Sequence, residues 1–358
     1  MSTKINTNFW KNKKVFVTGH TGFKGSWLCI ILNLLGAKIT GYALKPKSNP
    51  NLFNLAKIGN IIDKSIIADV RDFKRLHKEI KKSNSTILFH LAAQPLVRYS
   101  YLEPKETFDT NFNGTLNILD AVRKIKKIKT SIIITTDKVY DISKNKIFKE
   151  TDKLGGIDPY SASKVCCEYL FTSYISSFFK KTNYQRLATV RAGNVIGGGD
   201  YSEDRLIPDI YRSAKKAKQI ILRNPKSVRP WQHVLEPLRG YIDLSIDLYK
   251  SSKNSGENFN FGPRSKENYK VIEIIKMIQT KIPNLKVKID KKIDFKESGL
   301  LKLNCKKANK ILSWRPYFNT KQSINLTIDW YINYIDKKDV LELTLNQISN
   351  YFEKNNFK

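Results

Sequence analysis

Short apolar runs alternate with segments of helical period through the first half of the chain. KVFVT (14–18) reads as a strand, and GSWLCIILNLLG (25–36) as a helix closing on a glycine. AKITGYAL (37–44), SIIAD (65–69) and TILFHLAA (86–93) predict three further strands. A long helix is expected over about 104–127, ahead of the strongest strand, SIIITT (131–136). A second helix over 159–179 precedes the strand RLATVRA (186–192). Strands and helices alternating at these spacings imply βαβ units, and hence an α/β fold with a Rossmann-type, doubly wound parallel sheet. Beyond residue 192 the regularity loosens into a glycine-rich loop, GNVIGGGD (193–200), a helix near 206–217, and shorter strands and helices. That division predicts a sheet domain over 1–192 and a smaller, mixed α/β domain over 193–358, some of whose elements cross back to the sheet.

The length of 358 residues, 41% of them hydrophobic, is ample for a large core. The opening MSTKINTNFWKNKK is polar and basic, so no secretory leader is expected. No uncharged apolar stretch approaches the roughly 18 residues of a membrane span. Four cysteines (Cys29, Cys166, Cys167, Cys305) lack metal-ligand spacing, which points to reduced thiols in a cytoplasmic protein without a metal site. The net charge of +32 raises nucleic acid or an anionic membrane as partners. Yet lysines are spread along the whole chain with no basic tail or Lys-aromatic motif, as a general compositional bias would have it. Neither partner is therefore expected.

The first strand runs directly into Gly19-His20-Thr21-Gly22-Phe23-Lys24-Gly25, where a helix opens. Glycines there permit a tight turn and close approach to a pyrophosphate, which a helix N-terminus attracts. The acidic residue expected about 20 residues further on, for a ribose 2′-hydroxyl, is absent. Lys45 and Lys47 stand near that point instead and leave NADP open beside NAD. Asp69, ending the third strand, suits either an adenine contact or a helix cap.

Tyr160 and Lys164 form YSASK behind Asp158-Pro159, a helix start. The i, i+4 spacing puts phenol and ammonium on one face, where the ammonium would lower the phenol's pKa toward that of a general base. The strand over 131–136 leads into Thr136-Asp137-Lys138, at the carboxyl edge where open α/β sheets hold their ligands. A capped turn with a solvated lysine is the plainer alternative.

GHTGFKG, HLAAQPLVR, NFNGT, TTDKVY, YSASK, RAGNVIGGGD and RPWQHV follow in this order. Together they resemble the extended short-chain dehydrogenase/reductase superfamily and, within it, the CDP-glucose 4,6-dehydratases; Thr-Asp-Lys at 136–138 and RPWQHVLEPLRGY at 229–241 carry the narrower likeness. The resemblance implies NAD as cofactor, lined by Gly19, Gly22, Phe23, Lys24, Gly25, Asp69, Val70, Leu91, Ala92, Ala93, Tyr160 and Lys164. It implies that Tyr160, assisted by Thr136 and Lys164, takes the proton of the sugar 4-hydroxyl as hydride leaves C4. Lys138, as a neutral amine, would then remove the C5 proton while Asp137 protonates the departing 6-hydroxyl. Gln94, Asn194, Arg205 and Arg229 would contact the CDP-glucose substrate. Lys296 stands where many members carry a histidine, ahead of the family-like segment 297–316. The resemblance also implies a homodimer through the helices near 104 and 159, and YLFTSYISSFF (169–179) has more apolar residues than one buried face needs. The rivals are a dehydratase of another sugar nucleotide or an epimerase on the same scaffold, the epimerase having no leaving group for Asp137 to protonate, and a non-catalytic basic nucleic-acid-binding relative.

Overall fold

The computed structural model describes residues 8–354 apart from 144–145, 181–183, 217, 223, 265–266 and 290–300. The first residues of the polar N-terminus, Lys296 and the start of the 297–316 segment lie outside the described residues.

Each apolar run of the first half forms a strand because both faces of the sheet are covered, so continuous hydrophobicity replaces alternation. In chain order these elements are β1 (Lys14–Thr18), α1 (Phe23–Leu34), β2 (Lys38–Ala43), β3 (Lys64–Ile67), α2 (Phe73–Ser83), β4 (Ile87–His90), α3 (Gly114–Lys124), β5 (Thr130–Ile134), α4 (Pro159–Tyr174) and β6 (Arg186–Ala192). Then follow α5 (Leu206–Lys215), α6 (Leu235–Lys250), β7 (Asn258–Phe261), α7 (Val271–Gln279), α8 (Thr320–Ile335) and α9 (Val340–Lys354). The seven strands lie in the order β7-β6-β5-β4-β1-β2-β3, all parallel. Strand order reverses between β1 and β4, which opens a crevice at their carboxyl ends.

One face of the sheet packs α1, α6, α8 and α9 around Trp27, Tyr241, Ile328 and Tyr351. The other packs α2, α3 and α4 around Leu76, Ile118, Val122 and Phe171. The segment Pro104–Phe108 leads into α3 through a wide, π-type turn, Asp109–Asn113, and a second such turn, Ile175–Phe179, extends α4. Past residue 192, α6 and β7 join the layers of the sheet. Short paired strands, such as Val195–Ile196 with Gln232–His233, build the flank of the crevice.

Candidate active site

The glycine turn is shaped by contacts that leave no room for side chains. Gly19 adopts φ +75°, and a Cβ there would sit 2.7 Å from the Ala92 nitrogen. A Cβ on Gly25 would lie 2.0 Å from the Gly19 carbonyl oxygen, so the first turn of α1 presses directly on the loop. Gly22 is the N-cap of α1 and donates its N–H to the Gly19 carbonyl at 3.1 Å. This bare cradle at a helix N-terminus fits a dinucleotide pyrophosphate. Gly25→Ala is expected to weaken dinucleotide binding at least tenfold by calorimetry, because the added methyl forces loop and helix apart; unchanged affinity would show that the cradle is not the binding element. Lys24, beside Phe23 in this turn, has its ammonium pushed down to about 8 by burial and by the neighbouring cations Arg205 and Lys164.

The remaining walls of this crevice are polar and specific. The Thr18 hydroxyl pairs with His90 Nδ1 at 2.8 Å and accepts the Ala92 N–H at 3.2 Å, fixing the Leu91-Ala92-Ala93 segment after β4. The Asp69 carboxylate takes Nε and Nη2 of Arg71 at 2.8 and 2.6 Å and the Arg71 N–H at 2.8 Å. Asp72, not Asp69, caps α2, accepting the Arg75 N–H at 3.0 Å. The Val70 carbonyl accepts from the Asn117 amide at 2.9 Å. Lys47, read from the sequence as a candidate 2′-phosphate ligand, lies 3.5 Å from the Glu106 carboxylate and over the Tyr99 ring at 5.1 Å.

At the carboxyl end of β5, Thr136 caps a tight helical turn, Asp137–Val139, and accepts the Lys138 N–H at 3.3 Å. Its hydroxyl donates to Asp137 Oδ1 at 3.1 Å. Asp158 caps α4 by accepting the Ser161 N–H at 2.9 Å, and Pro159 occupies the first helical position, as the sequence predicts. Tyr160, at the start of α4, is buried near this turn, close enough to Thr136 and Asp137 for both to act on its phenol. Thr136, Asp137, Lys138, Tyr160 and Lys164 are thus brought together from β5 and α4. Burial raises the Asp137 carboxyl above the usual range, against the pull of Lys138, Thr136, Lys24 and Arg229. It therefore favours the protonated form that a proton donor needs.

Tyr160 differs from expectation. The YSASK spacing predicts a phenol lowered by its ammonium neighbour, but burial pushes Tyr160 up to about 12. The Lys164 ammonium donates to the Ile134 carbonyl at 3.2 Å and is itself lowered by burial, with Cys167 and Glu168 opposing that shift. Lys164 is committed to the end of β5, so the phenol feels its desolvation more than this cation.

Among the expected substrate contacts, Gln94 is engaged within its own loop. It is buried, its amide donates to Leu96 O at 3.1 Å and Thr107 Oγ1 at 2.9 Å, and its oxygen accepts the Leu96 N–H at 2.6 Å. These bonds hold its own loop together. Arg205, just before α5, binds the Asp200 carboxylate at 3.0 Å while lying close enough to shift both Lys24 and Tyr160. Arg229 lies within electrostatic reach of Asp137. Asn194 follows β6 at φ +21°, and its carbonyl accepts the Gln232 N–H at 3.2 Å.

Behind the site lies a buried ion pair that the sequence reading did not single out. Glu168, one turn beyond Lys164 on α4, accepts Nε and Nη2 of Arg191 on β6 at 2.9 and 2.8 Å, both side chains being at most 2% exposed. The hydroxyls of Thr135 and Thr189 also donate to Glu168, and Arg191 reaches Tyr140 Oη at 2.8 Å, which donates to Asn260 Oδ1 at 2.7 Å. A glutamate facing inward on α4, and an arginine inside the apolar RLATVRA, were the available signals. Among the described residues no group of His, Cys, Asp and Glu is arranged to hold a metal ion, and no helix is long and apolar enough to cross a membrane.

Known proteins resemble this chain over most of its length. The family model described as GDP-mannose 4,6 dehydratase matches residues 16–327. The CDP-glucose 4,6-dehydratase of Salmonella typhimurium is 44% identical over 355 residues, 97% of this chain and 98% of that protein. The CDP-paratose 2-epimerase of Salmonella typhi is 24% identical, covering 88% of this chain and 98% of its own. Among solved structures, the epimerase Mth375 of Methanothermobacter thermautotrophicus superposes with a TM-score of 0.80 at 20% identity, covering 92% of this chain and 95% of its own. The dTDP-glucose 4,6-dehydratase of Bacillus anthracis, solved in complex with NAD, does so at 0.73 and 23% identity over 92% and 99%.

Proposed function

The chain belongs to the GDP-mannose 4,6-dehydratase family, and from that premise we propose that it is an NAD-dependent nucleotide-sugar 4,6-dehydratase converting CDP-glucose to CDP-4-keto-6-deoxyglucose and water. The observation that carries this reading is Thr136-Asp137-Lys138 gathered against Tyr160 at the end of β5, in a chain 44% identical to a CDP-glucose 4,6-dehydratase. The Gly19–Gly25 cradle would hold NAD, whose nicotinamide would supply the means of accepting a hydride from C4 and restoring it at C6.

The residues then divide the proton transfers. Tyr160 takes the proton of the 4-hydroxyl, which Thr136 orients by hydrogen bonding; its phenol, raised by burial, would have to be lowered toward neutrality by the positive charge of bound NAD. The resulting 4-ketone makes the C5 proton acidic, and Lys138 removes it. Asp137, which burial keeps toward its protonated form, gives its proton to the 6-hydroxyl as that group leaves as water. Arg229 supplies forked donors for the substrate diphosphate, toward which Asn194 is also assigned, and Arg205 serves the nucleotide side. Lys47, paired with Glu106, favours NAD over NADP. On this reading residues 1–192 chiefly hold the cofactor and 193–358 the nucleotide sugar. Asp137 argues against the epimerase alternative, since epimerisation releases no hydroxyl for it to protonate.

The test is mass spectrometry of products from a panel of nucleotide-glucoses. CDP-glucose is expected to lose one water without net NADH. Turnover confined to dTDP- or GDP-sugars would overturn the substrate, and no dehydration at all would overturn the reaction.

We further infer a cytoplasmic protein, a setting in which its four free thiols would stay reduced, and a homodimer. Tyr169, 61% exposed on α4, and Phe178, 42% exposed on its extension, offer an apolar face beside α3 for a second copy. Light scattering at micromolar concentration is expected to give twice the chain mass of 41.3 kDa; a single chain mass would refute the dimer.

A further inference from the structure

We propose that Gly193 is a positioning residue for the acid of this reaction: its bare backbone is the wall against which the Asp137 carboxyl is set. The proposal rests on the role given to Asp137 above. Gly193 directly follows β6 and is buried. A Cβ at this position would lie 2.0 Å from Asp137 Oδ2 and 2.7 Å from its Cγ. Gly193 is not among the residues of positive φ, so space and not backbone conformation explains the glycine.

The wall is anchored. Gln232 donates through Nε2 to the Gly193 carbonyl at 3.1 Å and to the Phe261 carbonyl at 2.9 Å, which ties the ends of β6 and β7 together. On the opposite side the Thr136 hydroxyl holds Oδ1 at 3.1 Å. The carboxyl is therefore fixed between a hydroxyl on one strand end and a bare backbone on the next. It keeps a defined direction toward the leaving 6-hydroxyl while remaining shielded from water.

A methyl at 193 must displace the carboxyl by about 1 Å, a shift that costs about a hundredfold in a step needing aligned groups. Gly193→Ala is expected to bind CDP-glucose with unchanged KM and to oxidise C4 normally. Water loss should fall about a hundredfold, so that reduced nicotinamide accumulates in single-turnover absorbance. The same substitution in an Asp137→Ala background, where the space is free, is expected to change neither melting temperature nor residual rate. Should Gly193→Ala alone fail to fold, recovery of folding in the double variant would support the contact, and failure there too would overturn it. Also fatal would be elimination at the wild-type rate, a loss shared equally by both half-reactions with raised KM, or equal destabilisation in the Asp137→Ala background. Absence of dehydration by the wild-type protein would instead defeat the functional reading, while the melting-temperature cycle still reports on the contact.

Discussion

Lys138→Ala is expected to convert the protein into one that oxidises its sugar and stops. Tyr160, Thr136 and Lys164 remain in place, so the 4-hydroxyl still loses its proton and reduced nicotinamide appears within one turnover. The C5 proton then has no acceptor, and the 4-keto sugar persists with its 6-hydroxyl intact. Removing a positioned general base costs roughly a hundredfold to ten-thousandfold, well above detection in the NADH band. Tyr160→Phe should show the complementary defect, with no reduced nicotinamide because the first proton is never taken. The two phenotypes separate the half-reactions by the signal each leaves behind. The competing assignment makes Lys138 a cation of the Asp137–Val139 turn, held there because its backbone N–H bonds Thr136. That assignment requires Lys138→Ala to dehydrate at the wild-type rate, and such a result would move the base to another residue.

Glu168→Ala is expected to lower unfolding free energy by about 3–5 kcal/mol, the range seen when one partner of a buried ion pair is removed. Burial alone would raise the Glu168 carboxyl, but Arg191 beside it, with Thr135 and Thr189, holds it below its usual 4.5. A folded-state pKa below the unfolded one contributes stability that is complete above about pH 4.5 and lost as pH falls through the folded value. Neutral pH is therefore where denaturant unfolding should show the full loss. The alanine leaves the Arg191 guanidinium, 1% exposed, without its carboxylate. Replacing both partners by apolar residues, Glu168→Leu with Arg191→Met, is expected to do less harm than Glu168→Ala, because no charge remains desolvated. A loss below about 1 kcal/mol for Glu168→Ala, the range of an exposed pair, would mean that the network is dispensable.

How much of this was legible in the sequence follows from how local each feature is. The six strands from β1 to β6 and the helices between 104 and 179 announce themselves because a doubly covered parallel sheet needs unbroken apolar runs. α2 does not, since FKRLHKEIKKS buries only Leu76 and Ile80 among lysines, and β7, NFNF, carries asparagines where a central strand would be apolar. YSASK and Thr-Asp-Lys were readable as chemistry because residues adjacent in the chain remain adjacent in the site. The direction of the Tyr160 shift was not, because it depends on burial and on the Ile134 carbonyl that claims Lys164. The partners of Gln94, Leu96 and Thr107, were hidden for a similar reason: they are set by a loop closure that no spacing rule reveals. The partnership of Glu168 with Arg191 spans α4 and β6 and exists only once both have packed on β5.

Tyr160, Lys164 and Glu168 occupy successive turns of one face of α4, so chemistry and scaffold share a single helix. In a growth-based mutational scan, positions 168 and 191 would deplete as severely as 137 and 138 although neither is given any part in the proton transfers. Their variants would be lost to degradation, and the signature would be low abundance with ordinary activity per surviving molecule. Substitutions at 137 and 138 would leave abundance intact and abolish turnover. Fitness alone therefore draws the functional site of this protein too large, and a parallel measure of protein level is what would shrink it to its true outline.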